Sequence, residues 1–380
     1  MEDWKTYRLG DLIQIRYGKD HKALADGPFP AYGSGGLMRS VEKPIYNKQS
    51  ILIPRKGSLN NIIYVDIPFW TVDTMFWTII DTSIVLPHYL YYALKDFDFA
   101  SLNVGSAVPS LTCPVIEAIE VPIPSLQLQR QILNCIEPID DKIALNNRIN
   151  HNLEEQAQAL YKSWFVDFEP FKGGKFVDSE LGLIPEGWRV GKVRDLIDIQ
   201  SGFAFKSDTF VPSGRYRLIT IKAVQDGYLT TYGADYIDNP LPAKMPEYCK
   251  LALGDILLSL TGNVGRICIV DDVNLLLNQR VAKLQPINVA DRAFVYTLFR
   301  NMSFREQVVQ LARGTAQLNL SPVETGELSL CIPSRNVLQQ FADITMPLFE
   351  EILSNSLANK RLELIRDSVL PKFMYAKLTC

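Results

Sequence analysis

The chain has 380 residues, too many for one ordinary domain and enough for two or three with sizeable cores, since 47% of them are hydrophobic. A formal net charge of −3 counts against a globally basic nucleic-acid binder, so any contact with a polyanion has to be local. No apolar run approaches the roughly 20 residues of a membrane helix, "MEDWKTYRLG" is too polar for a signal peptide, and the scattered Cys113, Cys135, Cys249, Cys268, Cys331 and Cys380 read as free thiols of a cytoplasmic protein.

In chain order, "EDWKTYRLGDLIQIRYG" (2–18) comes first, followed by a glycine loop, "AYGSGGLMRS" (31–40). "SILIPRKGSLNNIIYV" (50–65) is an apolar run, a polar turn with glycine and a second apolar run, which is a hairpin pattern. "FWTVDTMFWTII" (69–80) reads as one β-branched and aromatic strand, and "PHYLYYALKD" (87–96) as a short helix. The block "GSAVPSLTCPVIEAIEVPIPS" (105–125) closes this part. Ser125 is then a natural N-cap for a helix. From Ile132, steps of four and three pick out Ile136, Ile139, Ile143, Asn146, Asn150, Leu153, Ala157, Leu160 and Trp164, a coiled-coil seam holding two asparagines.

The second half repeats the first. "EGWRVGKVRDLIDIQSG" (186–202) lies over residues 2–18 at an offset of 184, Gly202 over Gly18. "GTAQLNLSPVETGELSLCIPS" (314–334) lies over 105–125 at an offset of 209, with identities at Gly314, Ala316, Leu320, Ile332, Pro333 and Ser334. The second copy is therefore longer by about 25 residues, all between Gly202 and Gly314, as expected of loops that vary on a constant scaffold. Its hairpin is "DILLSLTGNVGRICIV" (255–270), and its helical stretch is "AFVYTLFRNMSFREQVVQL" (293–311). Each copy is an α+β domain of about 125 to 150 residues.

Adding 209 to the seam gives Phe341, Thr345, Leu348, Ile352, Asn355, Asn359, Leu362, Arg366, Val369 and Phe373. This second seam is weaker, with Thr345 and Arg366 in it, but both asparagines recur. Antiparallel pairing, favoured because a whole domain is built between the two helices, brings Asn146 to Asn359 and Asn150 to Asn355, where buried asparagines fix register; a parallel pairing would bring each asparagine to its own equivalent. Pro138 and Pro347 coincide and are expected to kink or restart the helices.

Catalytic motifs are lacking. The nearest string to an adenine methyltransferase Asn-Pro-Pro-Tyr/Phe is Asp238-Asn239-Pro240-Leu241, and there is neither a glycine-rich cofactor loop after a strand nor a P-loop. The pairs Asp140-Asp141 and Asp271-Asp272 read as solvated surface rather than a metal site.

"NLEEQAQALYKSWFVDFEPF" (152–171), "LIPEGW" (183–188) and the duplicated "GTAQLNLS…IPS…LQQF" block (314–341) resemble the specificity subunits of type I restriction–modification systems, over essentially the whole chain. The resemblance implies an α+β chain: two α/β target-recognition domains separated by two long helices in an antiparallel coiled coil, pseudo-two-fold symmetric. The expected divisions are a first recognition domain 1–124, a spacer helix 125–168, a linker 169–187, a second recognition domain 188–333 and a second spacer helix 334–376. It also implies that each domain reads half of a split target in double-stranded DNA, that the helices set the gap and bind methyltransferase subunits, and that the chain itself holds no cofactor. S-adenosylmethionine, ATP and Mg then belong to the methyltransferase and the restriction/translocase partners, with no membrane involved.

If the chain reads DNA, the basic stretch from Arg39 to Lys56 is the first candidate. Residues suited to base edges or phosphates there are Tyr32, Ser34, Arg39, Lys43, Arg55, Lys56, Ser58 and Asn60. In the second copy they are Lys222, Thr261, Asn263, Arg266, Asn278, Gln279, Arg280, Arg313 and Gln317. Glu154, Glu155 and Asp167 are expected to face partner subunits. The competing readings are a methyltransferase or nuclease with fused reading domains, and a coiled-coil adaptor that binds no DNA. The seam Ile132–Trp164 is about 50 Å long at 1.5 Å per residue, on the order of 14 base pairs.

Overall fold

A computed structural model describes residues 4–105, 107–312 and 318–374. It divides into two compact units: residues up to Lys142 with the stretch from Leu362 onward, and Ile143–Arg361. Both divisions fall inside the long helices, because each end of a helix packs into the core of its own unit.

In the first unit a four-stranded antiparallel sheet has the order Ile13–Tyr17, Met75–Ile80, Ser50–Pro54, Ile63–Val65. A three-stranded sheet has the order Gly36–Val41, Phe29–Gly33, Trp70–Thr71, with the last pair parallel. Ile51, Ile53, Phe76, Tyr89, Leu90 and Phe99 form one core with Ile132, Leu133 and Ile136 of the first long helix and Leu370 and Met374 of the second. Burying such side chains contributes roughly 1.5–3 kcal/mol each before entropy is counted.

The second unit repeats this topology. Its four-stranded sheet runs Ile197–Ser201, Val281–Pro286, Ile256–Ser259, Ile267–Ile269. Its other sheet runs Tyr236–Ile237, Tyr216–Ile219, Leu275–Leu277, Lys250–Leu251, and again the pair Tyr216–Ile219 and Leu275–Leu277 is parallel. Most of the extra length lies at 220–254, which stands where the first copy has 33–49.

In each copy the two ends of the α+β domain are strands paired with each other. Trp4–Arg8 pairs antiparallel with Glu120–Pro124, and Arg189–Lys192 with Ser329–Ile332. The chain thus enters and leaves at one place. The repeated "IPS" is the last strand residue or two and the residue before the helix. Ser125 caps the helix Leu126–Tyr161, accepting from the Leu128 N–H at 3.4 Å. At Ser334 it is the backbone carbonyl that accepts, from Leu338 at 3.1 Å. The glutamines that follow are not equivalent. Gln129 is fully buried and makes three bonds, to Ile84 O, Pro124 O and the Leu86 N–H, whereas Gln339 bonds Asp343 on the surface.

Pro138 lies within the continuous helix Leu126–Tyr161 and Pro347 within Arg335–Met374, so neither restarts its helix. In the second unit the helices pair antiparallel through the asparagines. Asn146 Nδ2 donates to Asn359 Oδ1 at 2.8 Å, Asn355 Nδ2 to Asn150 Oδ1 at 3.0 Å, and Asn359 Nδ2 to Asn147 Oδ1 at 2.8 Å. The two weak seam positions are satisfied. Thr345 Oγ1 donates to Phe341 O in its own helix, and Arg366 reaches Asp140 at 2.6 Å in the first unit.

Several surface expectations are corrected. Asp140 is engaged by Arg366 and by the Tyr92 hydroxyl, Asp271 by Lys360, and Asp272 by Arg217, so these acids tie elements of their own unit together. Burial raises the Asp271 carboxyl, and the Lys360 ammonium opposes that shift. Glu154 is drawn inward by Arg300 within the second unit, whereas Asp167 pairs with Lys162 at the surface and Glu155 lies beside the exposed His151. Residues 169–187 are ordered by the hairpin Phe176–Ser179 and Gly182–Pro185 and by Phe168 and Phe171, which pack edge-on against Trp188. Among the described residues no helix is long and apolar enough to cross a membrane.

Candidate DNA interface

The stretch 69–80 is two strands and not one. Trp70–Thr71 belongs to the three-stranded sheet and Met75–Ile80 to the four-stranded sheet, and the turn Val72-Asp73-Thr74 carries the chain between them. Gly18 is the reason the turn is close-packed. A Cβ on Gly18 would lie 2.0 Å from Val72 O.

The hairpin tip packs on this turn. The Arg55 N–H donates to Thr74 O at 2.8 Å, the Lys56 N–H to the same carbonyl at 3.2 Å, and the Arg55 guanidinium to Asp73 O at 3.1 Å. The guanidinium also lies over the exposed Tyr17 ring, 5.4 Å from its centre, a contact that holds a cation with its remaining N–H donors free. The Cys113 Sγ lies 3.6 Å from the Tyr17 hydroxyl, and this neighbour raises the phenol above its ordinary range. The glycine hairpin reaches the same tip: Asn61 Nδ2 donates to Ser34 O at 2.8 Å, and a Cβ on Gly57, whose φ is +92°, would meet Ser34 Oγ. The Gly57 N–H donates to Pro109 O at 3.0 Å, and Lys56 bridges Ser110.

Ser34, Arg55, Lys56 and Ser58 are therefore together at one tip. The other first-copy candidates lie away from this tip or are already engaged. Arg39 is half-buried and bonded to Asp26 and Leu24 O. Asn60 is a turn anchor, donating to Asp98 and accepting from the Ala100 N–H. Tyr32 packs beside Leu52 and Phe69, where burial raises its phenol. Lys43 is exposed beyond the strand Gly36–Val41.

The second copy builds the same backbone frame. The Gly202 N–H donates to Val281 O as Gly18 does to Met75 O, both at 3.0 Å. The Leu260 N–H donates to Arg280 O at 3.0 Å, as Arg55 does to Thr74, and Leu320 reports to Leu260 as Leu111 does to Arg55. A Cβ on Gly202 would lie 2.2 Å from Asn278 O. Thr261 bridges Asn319 as Lys56 bridges Ser110. So Asn278-Gln279-Arg280 is the counterpart of Val72-Asp73-Thr74. Gln279 and Arg280 are exposed there, while Thr261 is buried. Arg266 donates to Gln225 Oε1 at 2.6 Å, and Gln225 Nε2 donates to the carbonyl of the exposed Lys222 at 2.7 Å. The exposed Asn263 accepts from Ser259 Oγ through its backbone carbonyl. Arg313 and Gln317 lie outside the described residues.

The structure adds Tyr17, Asp73 and Thr74 to the tip, none of which the sequence pattern singles out. The signal for the turn is the alignment of 72–74 with the polar triplet Asn278-Gln279-Arg280 of the second copy.

Comparison with known proteins gives one consistent result. The family model described as Type I restriction modification DNA specificity domain matches residues 1–155 and 185–363. The MjaIX specificity subunit of a type I restriction enzyme from Methanocaldococcus jannaschii is 28% identical, over 98% of this chain and 88% of its own. The HindI specificity subunit from Haemophilus influenzae is 25% identical over the full length of both. A crystal structure of a type I restriction–modification S subunit from M. genitalium superposes with a TM-score of 0.55, at 15% identity, over 98% of this chain and 96% of the other.

Proposed function

This chain belongs to the family of type I restriction–modification DNA specificity subunits, and on that premise we propose that each hairpin tip, with the turn it packs on, reads one half of a two-part DNA target. The observation that carries the reading is one backbone construction made twice with different side chains. Arg55 and Lys56 stand on the first tip where Leu260 and Thr261 stand on the second, whereas the second copy carries its cation, Arg280, on the turn. A constant frame with exchanged donors suits two different half-sites, and local cations at the tips reconcile DNA binding with a net charge of −3.

Chemistry on the DNA falls to partner subunits: methyl transfer from S-adenosylmethionine to the methyltransferase, and ATP- and Mg-dependent cleavage to the restriction subunit. This chain supplies orientation. Exposed Leu364 and Ile365 on the second long helix are apolar side chains a methyltransferase subunit would cover.

Adenine methylation mapped across a genome, with and without this gene, tests the reading. A two-part motif with a fixed gap should appear only with the gene. Arg55→Ala with Lys56→Ala should weaken binding to the target by roughly 1–3 kcal/mol for a lost guanine contact and relax one position of one half-site. An unchanged methylation pattern on deleting the gene would overturn the proposal.

A further inference from the structure

Asp73 is an exposed carboxylate at the tip of a proposed polyanion-binding surface. It sits one residue from the carbonyl that holds Arg55 and Lys56, and its own backbone carbonyl receives the Arg55 guanidinium at 3.1 Å. Among the described residues its carboxylate is in no ion pair, the guanidinium going to the backbone oxygen instead. A free carboxylate facing DNA is repelled by phosphate and weakens binding unless a base donates to it. The matched position in the second copy, Gln279, is also exposed, on the same turn, with its N–H fixed to Phe203 O at 3.1 Å.

We propose that Asp73 and Gln279 are equivalent specificity-determining positions, Asp73 selecting a cytosine and Gln279 an adenine in their respective half-sites. The argument is chemical. In the major groove only the cytosine N4 and adenine N6 amines donate. Beside adenine N6 lies the N7 acceptor, whose lone pair repels a second carboxylate oxygen, whereas cytosine offers N4 with only C5–H beside it. An ionised Asp accepts and cannot donate, so it favours cytosine. A glutamine amide both accepts from N6 and donates to N7, so it favours adenine. The scaffold makes the positions comparable: Gly18 and Gly202 let each turn close against its strand, and the backbone bonds of Gly18, Arg55 and Leu111 recur at Gly202, Leu260 and Leu320.

This inference rests on the reading that the tips face the half-sites, and the test separates the two. The full complex, this chain with its methyltransferase subunits, is expressed in a host without other adenine methylation, and methylated sites are mapped for wild type, Asp73→Asn and Gln279→Glu. Both substitutions keep side-chain shape. Asp73→Asn should shift one position in one half-site from C·G toward A·T by roughly ten-fold in preference. Gln279→Glu should make the reverse change at one position of the other half-site. If a variant no longer methylates, competition binding of the same complex against single-base variants of the target decides. Preference moving to the substituted base supports the proposal, and equal weakening for every sequence overturns it. An unchanged motif in both variants also overturns it. A wild-type complex that yields no two-part motif would instead sink the parent reading.

Discussion

Two glycines show how closely the frame of each tip is specified. Gly18 and Gly202 have ordinary φ values, so backbone freedom is not their purpose. They are there because the facing carbonyls of Val72 and Asn278 leave no room for a methyl group. Gly18→Ala forces that backbone apart and should destabilise the first unit by roughly 3 kcal/mol, the upper end for overpacking, read as a lower denaturant midpoint. In the second unit Asp226 receives Arg300 and Arg305. Partial burial raises its carboxyl, the two guanidinium groups outweigh that, and the net shift is downward. A carboxyl lowered in the folded state stabilises above its unfolded pKa, and that contribution fades as pH falls through the folded value. Asp226→Asn should therefore cost about 1 kcal/mol at pH 7, a modest figure because the side chain is half exposed. Its difference from wild type should vanish on acid titration below the ordinary carboxylate range. A difference independent of pH would show that the arginines hold the loop by packing alone.

The helices divide their work along their length. In the first unit they are apolar at Ile132, Ile136 and Leu370, with Arg366 and Asp140 as a charged pair. In the second unit they meet through an asparagine ladder and then an aromatic cluster, Phe165 and Trp164 against Phe341 at 4.9 and 5.9 Å. Asn146 is fully buried, so Asn146→Leu alone strands Asn359 Oδ1 and should cost about 1–3 kcal/mol. Replacing Asn146, Asn150, Asn355 and Asn359 together removes both donors and acceptors. That variant should equal or exceed wild type in chemical denaturation while losing register, seen as more than one gap length among its methylated sites. A single gap retained by the quadruple variant would show that the aromatic cluster sets the register instead.

For the chain as a whole, the paired end strands should make each recognition domain exchangeable. Because Arg189 faces Ile332 across one ladder, replacing residues 188–333 by those of another family member cuts the backbone at two neighbouring points. The exchange should alter one half of the methylated motif and leave the other half unchanged. Alteration of both halves would mean that the domains do not read independently.

The repeat, the domain–helix–domain–helix order, the hairpins and the asparagine register were legible in the sequence because each depends on local pattern. Period two marks a strand, a four–three period marks a seam, and a duplicated string needs no coordinates. The turn at Val72-Asp73-Thr74 was not legible. Its β-branched and aromatic flanks read as one strand, and only the contact of Gly18, 54 residues earlier, with the Val72 backbone shows where the chain changes sheets. Nor could sequence tell which charges are free. Arg39, Asn60, Glu154 and Asp271 resemble surface polar residues until folding brings them Asp26, Asp98, Arg300 and Lys360. Local propensity sets the elements; which polar groups remain for a ligand is decided by long-range pairing, since donors and acceptors already used within the chain are lost to DNA.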